Sequence, residues 1–319
     1  MNNLKKIGLT ALAGSLVATS VAYAADLSVS GSASMSVQNH SQKATGKNVK
    51  MGNSVYFKGA GETDSGLNVN LSFELDQGTP SGDGPFDSHF VSIGNDTLGT
   101  LTVHGHGGSN SAAALDKTAA GDLWDSTLGI TTTGSSAAKM SPLSASSGNN
   151  LIVYALPTMV DDLSVGVSTQ LTTAGGSAST AFGLTYAGVE GLSVSYGKGK
   201  SEGVKDTSGD QTIMKASYVI GSITGSVSHN TFDHTTGSID QEVTAYGLSY
   251  TVTDAISLSY GEETIDRALQ VSDTEVSGYT ASYTTGGMTL SLAQRSADNV
   301  DHTANANNEM WKLALSLAF

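Results

Sequence analysis

Trp311-Lys312-Leu313-Ala314-Leu315-Ser316-Leu317-Ala318-Phe319 decides the fold of this chain. Read as an extended strand, it puts Trp311, Leu313, Leu315, Leu317 and Phe319 on one face. Lys312, Ala314, Ser316 and Ala318 fall on the other, because successive side chains of a strand point to opposite faces. One face is apolar and aromatic at both ends; the other is small and polar. A water-soluble protein has no physical reason to finish on an exposed Phe. A membrane barrel does, since it needs aromatics at the bilayer interface and a last strand that closes onto the first.

The same alternation recurs along the chain. Leu27, Val29, Gly31, Ala33, Met35 and Val37 interleave with serines. Leu67, Val69, Leu71, Phe73 and Leu75 interleave with Asn68, Asn70, Ser72, Glu74 and Asp76. Shorter runs begin at Leu163, Ile256 and Met288. Short turns are expected at 64–66, 95–99, 160–162, 187–191, 220–222, 253–255 and 285–287. They alternate with longer polar stretches at 39–52, 78–88, 109–149, 172–179, 201–210, 232–240, 263–273 and 298–306. This layout predicts an all-β chain, a sixteen-stranded antiparallel transmembrane β-barrel with short turns on one rim and long loops on the other. A β-sandwich would show larger core residues and more proline in its turns. A solenoid would show a fixed period, and none is present.

The other terminus sets the compartment. Lys5 and Lys6 precede a short apolar run from Ile7 to Val21, and Ala22-Tyr23-Ala24 reads as a cleavage site. Residues 1–24 are therefore expected to be a cleaved signal peptide, and 25–319 the barrel domain. The apolar run is too short for a spanning helix. Removing the two leader lysines leaves 13 basic and 29 acidic groups, formally −16, a surface that repels nucleic acid and attracts cations. There is no Cys, so no disulfide is available. The 38 Gly and 4 Pro suit many continuous hydrogen-bonded strands better than flexible linkers.

Four local pieces carry a family resemblance: Ala25-Asp26-Leu27-Ser28-Val29-Ser30-Gly31 as a first strand, Leu98-Gly99-Thr100-Leu101-Thr102-Val103-His104-Gly105 entering the third loop, Asn150-Leu151-Ile152-Val153-Tyr154-Ala155-Leu156-Pro157 leaving it, and the aromatic terminus at Phe319. In order and spacing the chain resembles the Gram-negative general porins, sixteen-stranded barrels of the outer membrane. The resemblance implies short periplasmic turns, long outer loops and a homotrimer in outer-membrane lipid. It also implies a third loop folded into the pore and recognition of the terminal Phe319 by the outer-membrane assembly machinery. The third long stretch, 109–149, is by far the longest here, and structureless loops of that length are uncommon unless functional.

A diffusion channel needs only width and a charge pattern at its narrowest point. In the family, acids on the third loop face a basic wall. The candidates on the loop are Asp116, Lys117, Asp122 and Asp125, with Trp124 as an anchor to the wall; the bland alternative is a short helical turn over 116–123 that these aspartates cap. The candidate wall residues are Lys58, Glu62, Glu74, His106, Lys215, Glu242, Arg295 and Lys312. The wall departs from the family at His106, where many general porins carry Arg, and Arg267 and Arg295 are the chain's two arginines. With acids outnumbering bases about two to one, a cation-preferring pore is expected.

His104 and His106 share a face and could form half a metal site, but no third ligand is evident. The acidic groups Glu262-Glu263-Asp266 and Asp298-Asp301 could hold Ca²⁺ weakly without the spacing of a dedicated site; no other cofactor is expected. No G-x-S-x-G motif occurs, so an enzyme is not expected. The expected function is passive passage of ions and small hydrophilic solutes. The alternatives are a substrate-specific outer-membrane channel or a structural, adhesive surface barrel.

Overall fold

A computed structural model describes residues 26–41, 47–76, 87–124, 148–171, 178–201, 208–235 and 240–319. The expected signal peptide lies outside the described residues. Sixteen strands form one closed antiparallel barrel. They are β1 (Asp26–His40), β2 (Lys47–Glu62), β3 (Asn68–Asp76), β4 (His89–Asn95), β5 (Gly99–His106), β6 (Leu151–Ala155), β7 (Leu163–Gln170) and β8 (Ser179–Val189). The second half comprises β9 (Leu192–Ser201), β10 (Gly209–Ile220), β11 (Ile223–His234), β12 (Gln241–Thr253), β13 (Ile256–Arg267), β14 (Thr274–Thr285), β15 (Met288–Asp298) and β16 (Asn308–Ala318).

Each strand pairs with its sequence neighbour, and β16 returns to β1 in a register that sets Ser32 opposite Ala318 and His40 opposite Met310. Closure leaves no free sheet edge, as a barrel in lipid requires. The seam ends on a reciprocal pair: Gly31 N–H donates to the Phe319 carbonyl at 2.7 Å, and Phe319 N–H donates to the Gly31 carbonyl at 3.0 Å. The Phe319 ring covers Gly31, where a methyl group would collide with it.

The short turns fall where the sequence places them. The strands run longer than expected at the opposite end. β11 continues to His234 and β13 to Arg267, into stretches read as loops. The reason is visible in the side chains: hydrogen bonding continues above the lipid zone, but the apolar-out alternation does not. On β13, outward Ile256, Leu258 and Tyr260 give way to outward Glu262, Thr264 and Asp266. The inward face changes in the opposite sense, from Ser257, Ser259 and Gly261 to Ile265, which is fully buried. β12 shows the same exchange, with Tyr250, Leu248 and Tyr246 outward below Glu242, and Val243 buried inward. Glu242 was expected on the lumen wall and stands on the outward face instead. Above the membrane the outside is water, so polar side chains turn outward and apolar ones inward.

Candidate functional site

The segment after β5 turns inward and crosses the barrel. At its start, Asn110 Oδ1 accepts the N–H groups of Ala112 at 2.9 Å and Ala113 at 2.8 Å, capping a one-turn 3₁₀ helix at Ala113–Leu115. This turn lies earlier than the 116–123 expected from sequence. The next residues are stitched to the inner wall strand by strand. Ser111 N–H donates to Ser168 Oγ on β7 at 2.9 Å. Lys215 Nζ of β10 donates to the Lys117 carbonyl at 2.8 Å, and Asn230 Nδ2 of β11 to the Asp116 carbonyl at 2.7 Å. Ser226 and Ser228, also on β11, grip Ala119: one donates to its carbonyl at 3.0 Å and the other accepts its N–H at 2.8 Å.

Between these contacts the wall is glycine. A β-carbon on Gly183 of β8 would strike the Ser111 carbonyl, and one on Gly247 of β12 the Ala119 carbonyl. The loop's close approach therefore depends on the missing side chains.

The segment next reaches β13. Glu263 is 1% exposed and accepts a short hydrogen bond from the Thr118 hydroxyl and another from Trp124 N–H at 3.1 Å. Thr118 and Asp122 close a local ring: Thr118 N–H donates to Asp122 Oδ1, and Asp122 N–H donates to Thr118 Oγ1, each at 2.8 Å. Asp122 takes a left-handed conformation, φ 58°. Leu123 and Trp124 then dock on an apolar patch of the inner wall, Val276, Ala297, Val300 and Met310.

Glu263 was missed as a lumen residue because the sequence reading began a loop there. The alternation Ser257, Ser259, Gly261 was the signal that places it inward. It points away from Glu262 and Asp266, so those three carboxylates do not converge. Among the described residues, no group of three or more His, Asp or Glu side chains is arranged to hold a metal ion.

The candidate residues divide into three sets. Asp116, Lys117 and Asp122 lie together on the loop, with Lys215 in electrostatic reach of all three. Arg295 points inward but is 5% exposed and bound flat to the wall, its guanidinium donating to the Tyr279 and Gln294 carbonyls and to Thr280 Oγ1. His106 stands at the end of β5, where the loop begins, and Lys312 follows Met310 of the docking patch on the inward face of β16, while Lys58, Glu62 and Glu74 belong to strands the described loop does not cover. There Glu74 accepts from the hydroxyls of Tyr56 at 2.6 Å and Ser88 at 2.7 Å, and His106 Nδ1 contacts the Asp87 carbonyl. Asp125 lies outside the described residues.

The strand walls carry inward acids Asp26, Glu62, Glu74, Asp76 and Glu263 against inward bases Lys50, Lys58, Lys215, Arg267, Arg295 and Lys312. Among the described residues, the acid excess is thus not on the lumen wall. Asp210, Asp233, Glu242, Asp266, Glu275, Asp298 and Glu309 all stand outward, near the ends of β10 to β16.

A sequence profile of the family described as Gram-negative porin matches residues 8–284. No curated protein matches the chain. Among solved structures, the anion-selective porin from Comamonas acidovorans aligns with a TM-score of 0.66 at 15% identity, covering 93% of this chain and 100% of that one. A loop-deletion mutant of OmpT, an outer membrane protein of Vibrio cholerae, aligns at 0.68 and 13% identity, covering 93% and 100%. A mutant porin of Rh. blastica aligns at 0.66 and 14% identity, covering 92% and 100%. These similarities support the fold: a sixteen-stranded barrel with the same overall course.

Proposed function

Because this chain belongs to the Gram-negative porin family, we propose that it is a general diffusion porin, passing ions and small hydrophilic solutes across the outer membrane. The observation that carries this reading is the asymmetry of the lumen. The third loop is held against β7 to β16, and the described part of it leaves the wall of β1 to β4 uncovered and polar. A pore needs this arrangement, a narrowing fixed by hydrogen bonds beside an open wetted surface.

Finer points follow as parts of the same proposal. The leader 1–24 is removed on export. Three barrels associate in outer-membrane lipid, and Phe319 is read by the assembly machinery. Asp116 and Asp122 border the narrowing, facing Lys58 and Lys312. The pore prefers cations, but weakly: wall charges inside the lumen are nearly balanced, and the excess acid outside the outer end acts through a field that salt screens within about 8–10 Å. That the anion-selective relative shares this fold indicates that side chains set the sign. The outer acids hold Ca²⁺ only weakly.

The test is conductance of the purified protein in a planar bilayer under a KCl gradient. Stepwise ohmic openings, grouped in threes, with a small cation-selective reversal potential that shrinks as salt rises, are expected. Anion selectivity would overturn the charge assignment, and a silent bilayer would overturn the channel. Replacing Asp116 and Asp122 by Asn shifts the reversal potential toward anions; no shift removes them from the narrowing.

A further inference from the structure

The inner wall of β1 to β4 holds a concavity of about 440 Å³. Two adjacent rows of inward residues form it. The register sets Asp26 beside Ala60, Asn70 and Ser92 in one row. In the next, Ser28 stands beside Lys58, Ser72 and Phe90. An exposed carboxylate, an exposed ammonium and a half-buried phenyl ring thus share one hollow, with hydroxyl and amide groups between them. The Lys58 ammonium rests 5.6 Å from the Tyr56 ring centroid, and the Tyr56 hydroxyl is engaged with Glu74, which braces the upper edge.

We propose that this hollow is a transit subsite for small zwitterions of the amino-acid type, those with an aromatic side chain above all. The inference rests on the channel reading above. Asp26 and Lys58 are diagonal neighbours on paired strands, about 7–8 Å apart at the backbone. A free amino acid, with its two charges a few ångströms apart and a hydrogen bond at each end, bridges that span. Its ammonium meets Asp26 and its carboxylate meets Lys58. The side chain then points along the row toward Phe90, two strands beyond Lys58 at about 4.8 Å per strand. A solute with one charge satisfies one edge and leaves the other hydrated. Binding is weak, since both charged groups are solvated and a pore must release what it holds.

The experiment is solute-induced current noise in single channels of the full mature protein, with L-phenylalanine as probe and benzoate, phenethylamine and glycine as comparators. Phenylalanine is expected to produce saturable noise in the millimolar range, with an association constant several-fold above each comparator. Lys58→Gln, Asp26→Asn and Phe90→Ala each lower it about threefold, the scale of a solvated ion pair or a single aromatic ring contact. Lys50→Gln, on the same strand and face but outside the hollow, leaves it unchanged. Retained single-channel conductance confirms that each variant has folded. Ohmic openings without phenylalanine noise overturn the subsite and leave the channel intact. So does noise indifferent to Lys58→Gln and Asp26→Asn, and so does benzoate or phenethylamine matching phenylalanine. A protein that opens no channels overturns the channel reading and the subsite with it.

Discussion

The lower and upper halves of β10 to β16 obey opposite rules within the same strands. Below, aliphatic side chains face out and Ser, Thr, Gly and Lys face a wetted lumen. Above, acids face out and Ile213, Phe232, Val243, Ile265 and Val276 are buried inside. No bulge separates the halves on β13 and β14, so the register is unbroken; only the solvent on each side changes. The Tyr260–Tyr279 pair, ring centroids 4.6 Å apart, stands at the changeover on these two strands, where an interfacial belt belongs. A barrel strand thus has no intrinsic inside pattern. The lower interior stays polar because water fills it, and the upper interior is apolar because Leu123 and Trp124 of the third loop fill part of it. The upper half is built like a small soluble core.

One charge placed at two depths on the same inward face separates the two halves most strongly. Ile265→Asp should destabilise the barrel by at least about 3 kcal/mol, the scale of an unpaired buried charge. Ser259→Asp, six residues lower in the wet lumen, should cost under about 0.5 kcal/mol, as an exposed substitution does. Urea unfolding of the refolded barrel measures both, and equal costs would show that the upper interior is wet. On the outward face the order reverses. Leu258→Lys should cost about 2 kcal/mol in lipid, while Glu242→Lys should be near neutral; a substantial penalty at Glu242 would place that position in the bilayer.

Gly247→Val sharpens the role of the loop. It should cost about 1–3 kcal/mol through overpacking against Ala119. It should also red-shift Trp124 fluorescence, read in a Trp311→Phe background. An unchanged spectrum would show that the loop does not lie on that glycine. The smallest effect is expected from Glu242→Gln, which should change the reversal potential less than Asp122→Asn does. The opposite ranking would move the selectivity determinant to the outer face.

Most of the fold was legible because the lipid zone enforces a strict period of two. Every short turn emerged from the interruption of that period. The upper strand segments were not legible, since their outward residues are polar and the reading equated polar with loop or lumen. Glu242 was misplaced for this reason, and Glu263 was assigned to a loop. The loop's path was legible only through its length. Its attachment points, Ser168, Asn230, Ser226, Ser228 and Glu263, come from three strands distant in sequence and look like any other lumen residues until the register aligns them.

The crossover also fixes how deep the protein sits. From Trp311 to Phe319 the outward face of β16 is apolar over eight residue steps, about 27 Å along the strand. At a strand tilt of about 40° this projects to roughly 20 Å, somewhat less than the ~25 Å apolar band usual for such barrels. Above it on β16 stands Glu309, with acids at the same end of the neighbouring strands. Sinking the barrel would drag those carboxylates into hydrocarbon, and raising it would expose the lower apolar rim to water. The protein therefore rides at one draught, and a thicker bilayer must thin around it, at a cost of fractions of a kcal/mol per ångström of mismatch.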